Sequence, residues 1–207
     1  MTSSHQAISY MRNVRISSAE ANIQIARFNL NHNIVASKHP VTVDAYNSDW
    51  FDTDDALFVG SKGQARGTLR CSCDESNVYF LVEVFDETLS VNDFCTIFLT
   101  PSEDRFKAAS RRIKVNYNGL KSVTQYSGSW REVSSGAKAL GAYDGDPTTS
   151  KDMDNGYLVE ISVPRAELSL EGGKTLVNFA LFDSAANAED SVKDTNTPSK
   201  WLTISGL

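Results

Sequence analysis

Nucleophilic catalysis needs a base held beside a nucleophile, and the three histidines, His5, His32 and His39, all precede the strand-rich part of the chain. No Ser, His and Asp or Cys and His arrangement is therefore anchored on the later strands. Two-carboxylate chemistry is harder to exclude, because 26 acidic residues are available. Glu160 stands out among them, since its neighbours Val159 and Ile161 alternate inward and leave it on the opposite face. The ordinary reading of such a residue is a strand carboxylate paired with a basic neighbour. A second kind of chemistry needs rings. Trp130 and Trp201 both follow polar, turn-rich stretches, and Tyr126, Tyr143, Arg131 and Lys200 stand near them in sequence. Flat rings with donors at their edges hold a ligand that has an apolar face and a polar rim. Asp183, at the end of a strand, either caps a loop or contacts ligand.

Two acidic loops have the composition of a calcium site and equally of a solvated surface. Asp49, Asp52, Asp54 and Asp55 crowd the first; Asp152 and Asp154 lie before Gly156 in the second. Neither meets the spacing of a calcium loop, since in the second the Gly comes too early and no closing Glu follows. Turn chemistry explains the second loop better. The sequence thus assigns no cofactor and leaves a structural calcium open.

The elements that must position these residues are strands. In Thr68 to Cys73, Leu69, Cys71 and Cys73 alternate with polar residues, and Val78, Phe80, Val82 and Val84 alternate after the turn Asp74 to Asn77. A hairpin pairing Cys73 with Val78 also pairs Cys71 with Phe80 and Leu69 with Val82, so every inward residue meets another. Arg70 then lies diagonally across from Glu83. Phe94 to Leu99 is apolar on both faces, as a covered central strand would be. Ile113, Val115 and Tyr117 alternate before Asn118-Gly119, a hairpin signal with positive φ expected at both residues, and Leu120 to Tyr126 returns. Gly136 to Asn155 reads as a long loop. Tyr157, Val159, Ile161 and Val163 point inward ahead of Pro164, and Thr175 to Asp183 and Trp201 to Ile204 follow as strands. Many short strands, frequent turns and little helical periodicity predict an all-β, antiparallel β-sandwich.

Composition narrows the partners. A net charge of −6 and a pI near 5.1 argue against a nucleic-acid surface, and the adjacent Arg111 and Arg112 read as a solvated strand face. Three cysteines do not make a disulfide scaffold; Cys71, Cys73 and Cys95 read as buried thiols. No apolar run reaches the length of a membrane span, and the first residues show no signal-peptide pattern. At 207 residues the chain suits one domain with an extension. Residues 1–31 are read as that extension, an added hairpin from Val14 to Ile16 and Ile23 to Phe28, and residues 32–207 as the domain.

DESNVYFLVEVFDETL followed by NDFCTIFLTP, the Val43, Asp44 and Trp50 positions, the VNYNG turn, GYLVEISVPRAEL, TLVNFALFD and WLTI occur in an order that resembles the family 9 carbohydrate-binding modules and their CBM9-like relatives. Ala45 stands where that pattern commonly has Gly. The resemblance runs from about Ile34 to Leu207. It implies a CBM9/DOMON-like sandwich, Trp50 as a packing residue, and a terminal sugar clamped between two tryptophans, here Trp130 and Trp201, with Tyr126, Arg131, Tyr143, Lys200 and Asp183 around them. It also implies non-catalytic binding of an oligo- or polysaccharide in an extracytoplasmic system, beside a catalytic domain or a partner glycan-degrading enzyme. The alternatives are a structural or protein-interaction sandwich without a sugar site, a hydrolase, and a haem-binding DOMON-type domain. The last would need axial ligands, and Met153 is the only Met or His after residue 39.

Overall fold

The structure, a computed structural model, describes residues 31–53, 55–148 and 153–207. The described strands, in chain order, are β1 (Ile34–Val35), β2 (Ala56–Val59), β3 (Arg66–Cys73), β4 (Asn77–Phe85), β5 (Phe94–Thr100), β6 (Arg111–Asn116), β7 (Gly119–Tyr126), β8 (Trp130–Glu132), β9 (Lys138–Asp144), β10 (Gly156–Pro164), β11 (Thr175–Asp183), β12 (Ala188–Ser191) and β13 (Leu202–Ser205). They form two sheets. The first has the order β2-β3-β4-β10-β9 and the second β1-β13-β11-β5-β6-β7-β8, with β12 paired to β11. All pairings are antiparallel except that of β1 with β13.

The hairpin register predicted by counting is present: β3 and β4 pair Cys73 with Val78, Cys71 with Phe80 and Leu69 with Val82. Arg70 Nη2 lies 3.6 Å from the Glu83 carboxylate. Between the sheets, Phe80 and Val82 of β4 and Tyr157, Val159 and Ile161 of β10 share one core with Cys95, Ile97, Ile113, Val115, Val177 and Phe179 of the second sheet. Burying each of these larger side chains contributes about 1.5–3 kcal/mol, which makes this layer the main source of stability. Pro164 ends β10 and a single 3-10 turn, Arg165–Glu167, follows. Cys71 and Cys73 lie on β3 and Cys95 on β5; all three are buried free thiols.

Several expectations are corrected. The β6–β7 turn centres on Tyr117 and Asn118, with Asn116 opposite Gly119. Only Gly119 has positive φ, +101°; a Cβ there would also sit 2.7 Å from the Ala139 carbonyl oxygen, where β9 approaches. β8 and β9 fall in stretches read as loop, because β8 is only three residues long and β9 is a half-exposed edge strand with blurred alternation. The strand of the Ile34 to Trp50 stretch is Ile34–Val35, and Val41 to Asp44 is not extended into a ladder. The Val14 to Phe28 hairpin lies outside the described residues.

After β1, residues 36–53 cross the outer face of the first sheet. Trp50, predicted to pack, is buried there with Val41 and Ala45 against Tyr79, Leu81 and Leu158. Glu160 is buried beneath the same segment, and its partner is no base. Oε1 accepts the Trp50 indole N–H at 2.8 Å, and Oε2 accepts the Asp44 and Ala45 backbone N–H groups, both at 2.8 Å. Burial pushes its carboxyl up to about 7, against the downward pull of those three donors. Among the described residues no helix is long and apolar enough to cross a membrane.

Candidate functional site

The outer face of the second sheet carries the other aromatic group. Alternation turns Phe94, Thr96 and Phe98 of β5, Arg112 and Lys114 of β6, Ser122, Thr124 and Tyr126 of β7, and Trp130 of β8 away from the core. Register then sets them in rows. Phe98 is opposite Arg112, Arg112 opposite Thr124, and Tyr126 opposite Trp130.

Phe106, from the connection after β5, fills the space among these rings. Its centroid lies 5.1 Å from Trp130, 5.5 Å from Tyr126 and 5.5 Å from Trp201, and Trp201 meets Phe98 at 5.7 Å. The Arg112 guanidinium carbon lies 4.0 Å from the Trp130 ring centroid and 5.1 Å from that of Phe98. Each such contact is worth about 0.5–2 kcal/mol according to its desolvation. Arg112 Nε and Thr124 Oγ1 are buried with no hydrogen-bond partner. Burial lowers the pKa of Arg112, with Glu189 opposing, and burial lowers that of Lys114. Further along the face, Lys114 Nζ lies 3.3 Å from the Phe94 centroid, and Phe94 stacks on Phe182 at 4.9 Å. Chemically, this is a patch of ring faces with nitrogen donors set between them.

Of the residues predicted from sequence, Trp130, Tyr126 and Trp201 are brought together, but not as an open clamp. Phe106 stands between the two indoles. Trp201 is 6% exposed and donates its indole N–H to the Asp194 carbonyl at 2.8 Å. The segment after β12 covers it, because Asn178 on β11 exchanges hydrogen bonds with the Lys193 backbone at 2.8 and 2.9 Å. Lys200 is exposed beside Trp201. Arg131 alternates with Trp130 on β8 and so leaves the sheet on the other side.

Tyr143 lies on β9 against Tyr117, 4.9 Å away. That is the Gly119 end of β7, whereas Trp130 pairs at the Tyr126 end, about 23 Å along the strand. Asp183 is a cap: Oδ2 accepts the Gln64 and Ala65 N–H groups at 3.0 and 3.3 Å, and Oδ1 that of Ala186 at 3.0 Å. It is buried, 3% exposed.

Carboxylates of the acidic loops accept backbone N–H groups from elsewhere in the chain. Asp49 accepts the Thr42 N–H at 2.9 Å, Asp55 that of Val35 at 3.1 Å, and Asp154 those of Leu89 and Asp146 at 2.9 and 2.7 Å. Asp54 and Asp152 lie outside the described residues. Among the described residues no group of three His, Cys, Asp or Glu side chains converges as a metal site would require. Two shallow recesses, of about 480 and 620 Å³, flank Lys38 to Pro40 in the covering segment of the first sheet, away from the aromatic patch.

Sequence reasoning missed Phe98, Phe106, Arg112 and Thr124. The signal was the alternation of β6, which turns Arg112 and Lys114 to the same face as Phe98. Phe106 gave no signal inside its polar connection.

No protein-family model and no curated protein matches the sequence. Solved structures that resemble the fold include two carbohydrate-binding modules. A family 9 carbohydrate-binding module from Caldicellulosiruptor kristjanssonii in complex with cellotriose is 20% identical with a TM-score of 0.60, covering 83% of this chain and 92% of that one. The module from the same organism in complex with glucose is 19% identical with a TM-score of 0.59, covering 83% and 94%. Two antiparallel-rich sheets stacked on one core make this chain a β-sandwich, similar in fold to these two carbohydrate-binding modules.

Proposed function

We propose that this protein binds a saccharide without transforming it, on the outer face of the second sheet around Trp130. The observation that carries the reading is Arg112, a partly buried guanidinium laid between Trp130 and Phe98 that makes no hydrogen bond to another described residue. A sugar ring offers C–H groups to the aromatic faces and hydroxyls to such a donor. The neighbours of this fold hold cellotriose and glucose, which supports the same class of ligand. Trp130 and Tyr126 form the exposed side of the site, Trp201 backs it, and Lys200 stands at its rim. The two carboxylates pushed up to about 7, Glu160 and Asp86, are both sealed from solvent, so neither reaches a glycosidic bond. The setting that accompanies this reading is an extracytoplasmic polysaccharide system with a glycan-degrading partner, supported by the family resemblance alone.

Affinity electrophoresis in gels containing soluble cellulose derivatives or xylan tests the proposal. Retardation that Trp130→Ala abolishes, with the melting temperature little changed, is the expected result. Equal retardation of the variant and the parent refutes it. The covering of Trp201 favours a second reading, a sandwich that keeps the fold as an interaction domain, and retardation in no glycan gel is its outcome.

A further inference from the structure

Five arginines among the described residues are partly buried, and four have a partner. Arg66 donates to the Gly63 and Ala65 carbonyls, Arg111 to those of Ala108 and Ser110, and Arg165 to that of Asp74, while Arg70 pairs with Glu83. Arg112 makes no hydrogen bond or ion pair to another described residue and lies on the rings of Trp130 and Phe98. Lys114, two residues on and so about 7 Å away on the same face, likewise makes no hydrogen bond or ion pair to another described residue and rests on Phe94. Lys121 lies near enough to Lys114 to lower its pKa further.

Partly burying a cation whose nearest counter-charge, Glu189, stays beyond ion-pair distance is costly, and a fold that tolerates it in two adjacent places leaves room for an anion to be supplied from outside. The chain as a whole is acidic, with a net charge of −6, so these cations are not an overflow of basic residues. Two acidic residues share the face. Glu189 is opposite Phe182 and Glu132 opposite Thr124, and both are exposed at the margins of the patch. Neither comes within ion-pair distance of Arg112 or Lys114 among the described residues.

Resting on the saccharide reading above, we infer that the ligand is an acidic saccharide, whose carboxylate or sulfate is received by Arg112 and Lys114 while its rings lie on the exposed side of Trp130 and Tyr126. The guanidinium fork suits a two-oxygen anion, and the ammonium adds a point charge along the chain direction. Rings and cations also make a single-strand nucleic-acid platform, but that needs a basic groove along the backbone, and this face gives way to Glu132 and Glu189 at its margins.

The test compares pairs that differ in charge and little else. Oligogalacturonate is titrated against its fully methyl-esterified form, and dextran sulfate against dextran, by calorimetry with the full chain. The two arms separate carboxylate from sulfate. One acidic probe is expected to bind at least about tenfold tighter than its neutral counterpart at low salt, the ratio shrinking when salt is raised about tenfold. Arg112→Gln and Lys114→Gln should each bring that ratio towards one, and Glu189→Gln should enlarge it.

Neutral cello-oligosaccharides binding as well as or better than both acidic probes would overturn the inference and leave saccharide binding standing. No binding by any probe, neutral or acidic, would remove the saccharide reading itself. A charge preference that survives both substitutions overturns the assignment of these residues. Equal affinity for a single-stranded oligonucleotide of matched charge overturns the selectivity for sugar. Circular dichroism melts of each variant confirm that it is folded.

Discussion

The two outer faces of this sandwich each set a tryptophan beside a charged group, and they finish the arrangement differently. On the first sheet, Trp50 and Glu160 are joined by a hydrogen bond, and the carboxylate takes two further backbone donors from the segment that covers it. On the second, Trp130 and Arg112 touch face to cation, and Arg112 is left without a hydrogen bond. One face is closed by its own chain and the other is left with capacity to spare. The difference teaches that aromatic content does not tell a face closed by its own chain from one whose polar atoms are left unpaired; the state of the polar atoms beside the rings does.

If that contrast is right, stability and binding separate cleanly between the faces. The largest effect belongs to Trp50→Ala, which opens a cavity beneath the covering segment and orphans Glu160. A loss of about 3–5 kcal/mol is expected by urea denaturation, with binding per folded molecule retained. Next comes Glu160→Gln. The amide has one acceptor oxygen for three N–H donors and sets its own NH₂ against one of them, so a loss of about 2–3 kcal/mol is expected. A neutral or stabilising result would break the argument that this carboxylate is satisfied.

Asp86 gives the opposite case in another part of the molecule. It is buried, Oδ1 accepts the Thr88 N–H at 2.9 Å, and Oδ2 has no partner. Burial first, with Asp93 and Asp183 adding to it, pushes its carboxyl up to about 7. The folded state therefore binds the proton that the unfolded state releases at about 4. Stability should fall as pH rises from about 4 to about 7, and Glu160 and Asp93, both also raised, contribute in the same direction. Asp86→Asn should flatten part of that slope and stabilise the protein at pH 8 by about 1–3 kcal/mol, read from thermal melts across the range. The smallest stability effect is that of Trp130→Ala, under about 1 kcal/mol because the ring is only partly buried. Should Trp130→Ala cost as much as Trp50→Ala, the contrast between the faces fails.

What could be read from the sequence was whatever alternates over several residues. The register of β3 and β4 came out by counting, and the inward faces of β6 and β10 came with it. What could not be read depends on partners far along the chain. Glu160 is satisfied by residues 110 to 116 positions away, and no local pattern distinguishes it from a solvated strand carboxylate. Trp201 was read as an exposed ring because its flanks are polar, yet those flanks are what cover it. Arg112 was read as a solvated residue, because the rings on which it lies come from β5, β8 and a polar connection. Fold was legible through period, and the site was not, since it is assembled across strands.

The parallel pairing of β1 with β13 brings Ile34 against Ile204. Among the described strands, the first thus meets its partner only when nearly the whole domain has been synthesised, and the loop to be closed then is a long and costly one. Trimming a few residues after Trp201 would accordingly be felt at the opposite end of the polypeptide, where the cover of the first sheet begins.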